Sequence, residues 1–165
     1  MSVIFLLGPG MWDPAKGSVA GPSPMQVRRH IAKILKEADH RVILMEDDPN
    51  RKGEDMIQKF DRLLRQDVTE VIVYWPPLAK MQTTSDEFIL LCDRHDYLKA
   101  KSIRVWLLHH TSVAEIREDE FVVREKGNRS RYLTAVAKLG VHPLEWGDEK
   151  ELYGQVGLLV QELDS

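Results

Sequence analysis

Cysteine is almost absent from this sequence: Cys92 is the single cysteine among 165 residues. One thiol cannot form an internal disulfide, and a zinc site built from several cysteines is excluded. Apolar runs are also short, far below the roughly 20 residues of a membrane-spanning helix. Residues 1–7 lack the positively charged segment and the cleavage site of a signal peptide. These absences predict a cytoplasmic protein without a membrane span.

An excess of charge of one sign is missing too. The chain has 23 lysine and arginine residues against 26 aspartate and glutamate residues, which leaves a formal net charge of −3. General nucleic-acid binding needs a broad basic surface that neutralises phosphates, so this composition argues against it. With 43% apolar and 30% charged residues, the chain has the composition of a globular protein, and its length suits one domain spanning residues 1–165.

What the sequence does contain is a regular alternation of apolar runs and helical periodicity. The runs predict five β-strands, each ended by turn or polar residues, at 3–7, 41–45, 71–75, 103–108 and 141–146. Helical spacing predicts helices at about 24–38, 56–64, 88–98 and 152–163. Such alternation predicts an α/β fold: a three-layer, doubly wound, five-stranded parallel sheet in the flavodoxin-like order 2-1-3-4-5. Pro143 predicts that the last strand lies at a sheet edge.

The first predicted helix begins at Ser23 and Pro24, which suit the N-cap and the first helical position. Its apolar residues recur at helical spacing and predict a face packed on the sheet. Its basic residues fall on the other faces, where we expect them to be solvated: Arg28, Arg29, Lys33 and Lys36.

Residues 111–131 interrupt the alternation. An acidic run at 118–120 and an apolar segment at 121–123 precede basic residues at 124, 126, 129 and 131. We interpret this stretch as an irregular insertion, followed by a helix from about 128 to 139 that ends at Gly140. The basic residues suit phosphate binding, although a solvated basic face that balances the acidic run is favoured.

Ligands of open α/β sheets bind outside the carboxyl ends of the strands, where the strand order reverses. In the predicted order this crevice lies between the first and third strands. Trp12 or Trp75 would stack on a base there, and Trp75 suits the rim of a core equally well. Asp47 would accept hydrogen bonds from ribose hydroxyls, although an ordinary Asp-Asp-Pro-Asn turn is favoured. The backbone of residues 8–10 (Gly8, Pro9 and Gly10) would accommodate phosphate or sugar.

Several common sites are excluded by residue order. Residues 16–18 are Lys-Gly-Ser, the wrong order for a P-loop, and residues 8–10 lack the third glycine of a dinucleotide fingerprint. Residues 75–77 stand where a receiver domain has its phosphorylated aspartate. A flavodoxin-type flavin site needs hydroxyl residues after the first strand, so no cofactor is predicted.

His109 and His110 suit a general base, but adjacent strand residues point to opposite faces, and no metal site is predicted.

Glu87 is the candidate catalytic residue. It lies in the segment that leaves the third strand, where a carboxylate would attack or stabilise C1 of a sugar. The spacing from Thr84 to Glu87 also matches a capping box, with Thr84 as N-cap and Glu87 at the third helical position. Spacing alone leaves both interpretations open, and the cap is the more ordinary one.

The order of these pieces resembles the nucleoside 2-deoxyribosyltransferase-like superfamily, whose wider relatives include bacterial Toll/interleukin-1-receptor-like nucleotide hydrolases. The resemblance covers residues 3–108: the first strand with Gly8 and Pro9, a helix with two arginines, and a second strand with an acidic end. In that group a serine or threonine precedes a helix-borne glutamate after the third strand, which residues 84–88 match. Asp86 and Phe88 flank the glutamate here, where the transferases carry Thr and Gly.

The resemblance implies that Glu87 is catalytic, that Ser85 contacts substrate, and that a neighbouring subunit of a homo-oligomer completes the site. The function that it implies is cleavage or transfer of an N-glycosidic bond in a nucleoside, nucleotide or NAD-like substrate. The alternative is a non-catalytic nucleotide-sensing or protein-interaction module on the same fold.

Overall fold

A computed structural model describes residues 1–9, 23–77, 82–111 and 139–165, without the side chains of residues 82–86. The strands are β1 (Val3–Leu7), β2 (Arg41–Ile43), β3 (Glu70–Trp75), β4 (Arg104–His110) and β5 (His142–Trp146). The helices are α1 (Pro24–Glu37), α2 (Met56–Leu64), α3 (Gln82–Asp93), α4 (His95–Ala100) and α5 (Glu149–Asp164), and a 3-10 turn spans Met45–Asp47. Nearly all of the predicted insertion at 111–131 lies outside the described residues.

The predicted sheet is confirmed. All five strands are parallel, in the order β2-β1-β3-β4-β5. Leu7 pairs with Val73, and Trp75 pairs with His109, so the carboxyl ends of β1, β3 and β4 lie side by side. Pro143 lies on the edge strand β5, as its missing N–H predicts. The strand order reverses between β1 and β3, which places the predicted crevice there.

Helices cover both faces of the sheet. Alternate residues of β1 point to opposite faces, and both sets are buried, which explains the unbroken apolar run. Phe5 and Leu7 pack with residues of α2, α3 and α4, whereas Ile4 and Leu6 pack with residues of α1 and α5. None of the helices in the described ranges is long and apolar enough to cross a membrane.

Two predicted elements differ in extent from the structure. The second strand ends at Ile43, because the chain turns into the 3-10 turn at Met45. The third predicted helix is two helices, α3 and α4, separated at Arg94. The guanidinium of Arg94 is held by the carboxylate of Asp61 on α2, with Nη2 and Oδ2 2.7 Å apart. The early end of β2 thus follows from the change of backbone geometry at the 3-10 turn. The division between α3 and α4 coincides with the ion pair between Arg94 and Asp61.

An ion pair between the buried Glu70 carboxylate and the exposed Arg104 guanidinium lies at the amino end of the sheet. The carboxylate of Glu70, at the start of β3, accepts hydrogen bonds from the guanidinium of Arg104 and from Nε1 of Trp106 at 2.8 Å. Both donors lie on β4, so the contact ties two neighbouring strands together. These donors satisfy a carboxylate that burial would otherwise destabilise, so Glu70 has a structural role at the edge opposite the crevice.

Candidate active site at the carboxyl ends of β1 and β3

The Glu87 carboxylate lies at the predicted crevice. Its Oε2 accepts a hydrogen bond of 3.0 Å from the backbone N–H of Gly8, the residue that follows β1. Glu87 is half-buried and Gly8 is buried. A backbone N–H that donates to a carboxylate forms a charge-assisted bond, which orients the acceptor. The contact therefore places an oriented carboxylate where the strand order reverses.

The capping-box interpretation of Glu87 is wrong. Helix α3 begins at Gln82, so Thr84 lies within the first turn and Glu87 in the second. An N-cap residue must precede the helix and have non-helical backbone geometry, which Thr84 does not. Ser85 also lies within α3, and its side chain is outside the described residues.

Gly8 allows two chain segments to approach the end of β1 closely. Its φ is +155°, a backbone conformation that residues with side chains rarely adopt. A Cβ at this position would lie 2.8 Å from Cδ of Arg28 and 3.1 Å from the carbonyl oxygen of Tyr74. Because residue 8 has no side chain, α1 and β3 can pack closely against the backbone whose N–H donates to Glu87.

Arg28 is a site residue that the sequence prediction misplaced. It was expected among the solvated residues of α1, but it is only 2% exposed. Its Nε donates to the carbonyl of Pro9 at 3.2 Å, its Nη1 donates to the carbonyl of Leu6 at 3.4 Å, and its Nη2 binds Oε1 of Glu46. The guanidinium therefore fixes the backbone on both sides of Gly8.

The spacing of α1 contains the signal that places Arg28 inside. Arg28 lies four residues before Ala32 and seven before Leu35, and both of these residues are buried. Positions with this spacing share one face of a helix. Arg29, Lys33 and Lys36 are exposed, as expected.

Of the two carboxylates that follow β2, Glu46 points inward to Arg28 and Asp47 lies on the surface, and the ribose contact of Asp47 stays a prediction. Asp47 is 45% exposed, and its Oδ1 binds Nη2 of Arg29 at 2.9 Å on the surface. Glu46 takes the inner position against Arg28. The 3-10 turn explains why Glu46 points inward and Asp47 outward, because it rotates successive side chains by about a third of a turn. The structure thus gives Asp47 a surface ion pair.

Trp75 is a buried residue that packs against the helix that carries Glu87. Its side chain is 2% exposed, and its ring meets that of Phe88 edge-on, with centroids 5.2 Å apart. This burial is typical of a core residue. Phe88 directly follows Glu87, so the contact orients the part of α3 that carries the carboxylate. Gly10 and Trp12 lie outside the described residues.

The two histidines at the end of β4 have different surroundings. His110 lies against Trp146, with ring centroids 4.8 Å apart, and its Nε2 is 3.1 Å from the carbonyl oxygen of Gly147. His109 is 6% exposed, and within the described residues its Nδ1 has no hydrogen-bond partner. Burial lowers the pKa of His109, opposed by a backbone contact with His110 and by the negative charge of Glu145. In the described ranges no three metal-binding side chains are grouped.

The lowered pKa of His109 predicts a pH dependence of stability. The folded state favours the neutral imidazole, so its contribution is complete above the unfolded pKa of about 6.5 and is lost as pH falls through the lower folded pKa. We expect the free energy of unfolding, measured in urea between about pH 7 and 5, to fall less steeply in His109→Leu than in the wild type. His30→Gln, at an exposed histidine, is the control. Equal slopes in all three proteins would contradict the prediction.

Comparison with known proteins adds no family assignment. A scan against models of protein families finds no match to this chain, and a search of curated proteins finds none either. The resemblance based on residues 3–108 therefore stays a prediction.

Proposed function

We propose that this protein cleaves or transfers the N-glycosidic bond of a nucleoside, nucleotide or NAD-like substrate, with Glu87 acting at C1 of the sugar. The observation that carries this proposal is the hydrogen bond from the Gly8 N–H to the Glu87 carboxylate. It joins a helix-borne glutamate to the end of β1 across the crevice where open α/β sheets bind ligands.

The geometry suits a reaction that develops positive charge on a sugar. Breaking the bond between C1 and the base nitrogen leaves oxocarbenium character at C1, which a carboxylate stabilises or attacks. The base leaves with the bonding electron pair: a purine or pyrimidine takes up a proton from solvent, whereas nicotinamide leaves its cationic substrate as a neutral molecule and needs none. Water or a second base then bonds to C1, displaces Glu87 where it has attacked and gives up a proton to solvent, which gives hydrolysis or transfer and regenerates the carboxylate.

The surroundings of Glu87 support such a role by holding it in place. Phe88 and Trp75 fix the helix on one side, and the guanidinium of Arg28 fixes the carbonyls of Leu6 and Pro9 on the other. Catalytic groups work best when their supporting contacts leave little freedom to reorient. Gly8 itself presents backbone rather than a side chain, which lets a sugar approach closely.

Glu87→Gln tests the proposal. We expect the rate of base release from a panel of nucleosides and NAD, followed by chromatography, to fall at least about 100-fold, because an amide is neither a nucleophile nor an anion. The amide oxygen still accepts the Gly8 N–H, so the free energy of unfolding should change by less than about 1 kcal/mol. Glu37→Gln, an exposed site on α1, makes the same chemical change away from the crevice.

A residual rate near that of the wild type would show that Glu87 is only a tether between α3 and β1. A second outcome separates the alternative function: ligands that raise the midpoint of thermal unfolding without any base release would indicate a nucleotide-sensing module. Binding to the folded state alone produces that stabilisation.

A further inference from the structure

The pairing of β1 with β2 ends before β1 itself does. Its last residue pair joins Phe5 to Ile43, and β1 continues beyond that pair. The carbonyl of Ser2 accepts a hydrogen bond from the first residue of β2, so the backbone of Ser2 faces β2. Successive residues of a strand direct their backbone groups alternately to the two neighbouring strands. Leu6 and Gly8 therefore also face the β2 side, beyond the point at which the pairing stops.

Two side chains of opposite charge bind these backbone groups. Nη1 of Arg28 donates to the carbonyl of Leu6 at 3.4 Å, and the N–H of Gly8 donates to Oε2 of Glu87 at 3.0 Å. Arg28 comes from α1 and Glu87 from α3, which cover opposite faces of the sheet. Buried backbone groups need hydrogen-bond partners. The end of β1 is thus held between a cation from one face and an anion from the other.

Arg28 contacts the chain on each side of the Gly8 N–H. Besides the Leu6 carbonyl, it binds the carbonyl of Pro9 through Nε at 3.2 Å. Its stem also packs against residue 8, since a Cβ on Gly8 would lie 2.8 Å from Cδ of Arg28. The direction of the Gly8 N–H therefore depends on where the arginine side chain lies.

Glu46 determines where the guanidinium lies. Its Oε1 binds Nη2 of Arg28, and the two side chains are 13% and 2% exposed. The guanidinium is a rigid planar fork, so fixing Nη2 also fixes the directions of Nε and Nη1. Lysine carries the same charge on a single nitrogen and lacks this geometry. Contacts thus run from Glu46 through Arg28 and the Gly8 backbone to Glu87.

We infer that Arg28, oriented by Glu46, is a positioning residue for the proposed reaction. It fixes the direction of the Gly8 N–H, and this charge-assisted hydrogen bond orients Glu87 toward C1 of the sugar. Arg28 acts through the backbone and does not contact substrate. The inference rests on the proposed function, since the carboxylate that it orients is the one that acts at C1. Small displacements of reacting groups lower rates steeply, by about 100-fold for 1 Å.

The Gly8 amide signal in the ¹H–¹⁵N spectrum tests this inference without turnover. Glu87→Gln removes the charge from the acceptor and should move the amide proton upfield, which calibrates the response. We expect Arg28→Lys and Glu46→Gln to move the same signal upfield and to speed its exchange with solvent deuterium, because the N–H turns away from Glu87. Arg62→Lys is the matched control.

Arg62 suits this control because it is a second arginine in a mostly buried ion pair. Its side chain is 14% exposed, and it binds Glu54 at 2.7 Å and Asp48 at 2.9 Å. Arg62→Lys therefore makes the same chemical change in a comparable network on α2. It should leave the Gly8 signal in place, because the partners of Arg62 do not include the turn after β1.

Kinetics separate positioning from folding. At a temperature at which every variant is fully folded, Arg28→Lys should lower kcat for base release about tenfold and change KM less than about twofold, because the orientation of Glu87 matters in the transition state. In the Glu87→Gln background, Arg28→Lys should have no further effect on the rate, since Arg28 acts only through that carboxylate. Arg62→Lys should leave kcat unchanged.

The inference is overturned if the Gly8 signal of Arg28→Lys coincides with that of the wild type, or if Arg62→Lys displaces it equally. Should Arg28→Lys fail to fold, Glu46→Gln decides by the same signal. The two proposals fail separately. A displaced Gly8 signal without base release from any glycoside retains the control of Glu87 by Arg28 and removes the reaction. Base release that depends on Glu87 but not on Arg28 removes only the positioning role.

Discussion

Arg28→Leu should lower the free energy of unfolding by about 3–5 kcal/mol, because it removes one partner of a buried ion pair. Glu46, which is mostly buried, would keep its charge without the guanidinium. The carbonyls of Leu6 and Pro9 would also lose their donor. Urea unfolding measures the change, and its slope against denaturant concentration should stay constant if only stability is affected.

The neighbouring arginine provides a matched control for this substitution. Arg29 is 43% exposed and pairs with Asp47 on the surface, so Arg29→Leu should change the free energy of unfolding by about 0.5 kcal/mol or less. Arg28→Leu combined with Glu46→Leu should recover part of the loss, since the double variant leaves no charge unpaired. Equal effects of Arg28→Leu and Arg29→Leu would refute the buried role of Arg28.

Gly8→Ala should cost about 2–6 kcal/mol of unfolding free energy. A non-glycine residue with this φ carries strain of about 1–3 kcal/mol. The new Cβ would lie 2.8 Å from Cδ of Arg28 and 3.1 Å from the Tyr74 carbonyl, and such overpacking costs about 1–3 kcal/mol more. Relief of the clash would move the N–H that meets Glu87, so activity should fall together with stability.

Gly53→Ala separates the two contributions to that cost. Gly53 also has positive φ, at +76°, but nothing lies within 4 Å of the position that its Cβ would take. Gly53→Ala should therefore cost only the backbone contribution, about 1–2 kcal/mol. If Gly8→Ala and Gly53→Ala cost the same in urea unfolding, then the close approach of Arg28 and Tyr74 contributes nothing.

The sheet could be predicted from sequence because buried positions carry apolar residues that recur with the period of each helix or strand. The apolar run of β1 indicates a strand covered on both faces, and the apolar spacing of α1 indicates one face on the sheet. Alternating elements connected in a right-handed sense then leave few topologies, among which 2-1-3-4-5 is common. Strand order therefore followed from local patterns and a general rule about connections.

The contacts of Arg28 and the inward position of Glu46 could not be predicted in the same way. The spacing of α1 indicates an inward position for Arg28, but it does not identify the partners of the guanidinium, which lie 18 to 22 residues away. The choice of Glu46 over Asp47 depends on a single 3-10 turn. Glu87 shows the same limit, since its local spacing matched a cap and its hydrogen bond joins a residue 79 positions away.

Periodicity and composition alone thus led to the architecture and to the edge of the sheet at which a site belongs. The hydrogen bond between Gly8 and the Glu87 carboxylate, the contacts of Arg28, and the packing of Trp75 on Phe88 emerged only with the folded chain. Hydrophobic patterns depend on the average environment of each residue, which repeats along an element. A hydrogen bond between distant residues depends on distances of a few ångströms, which are determined by how all the elements pack.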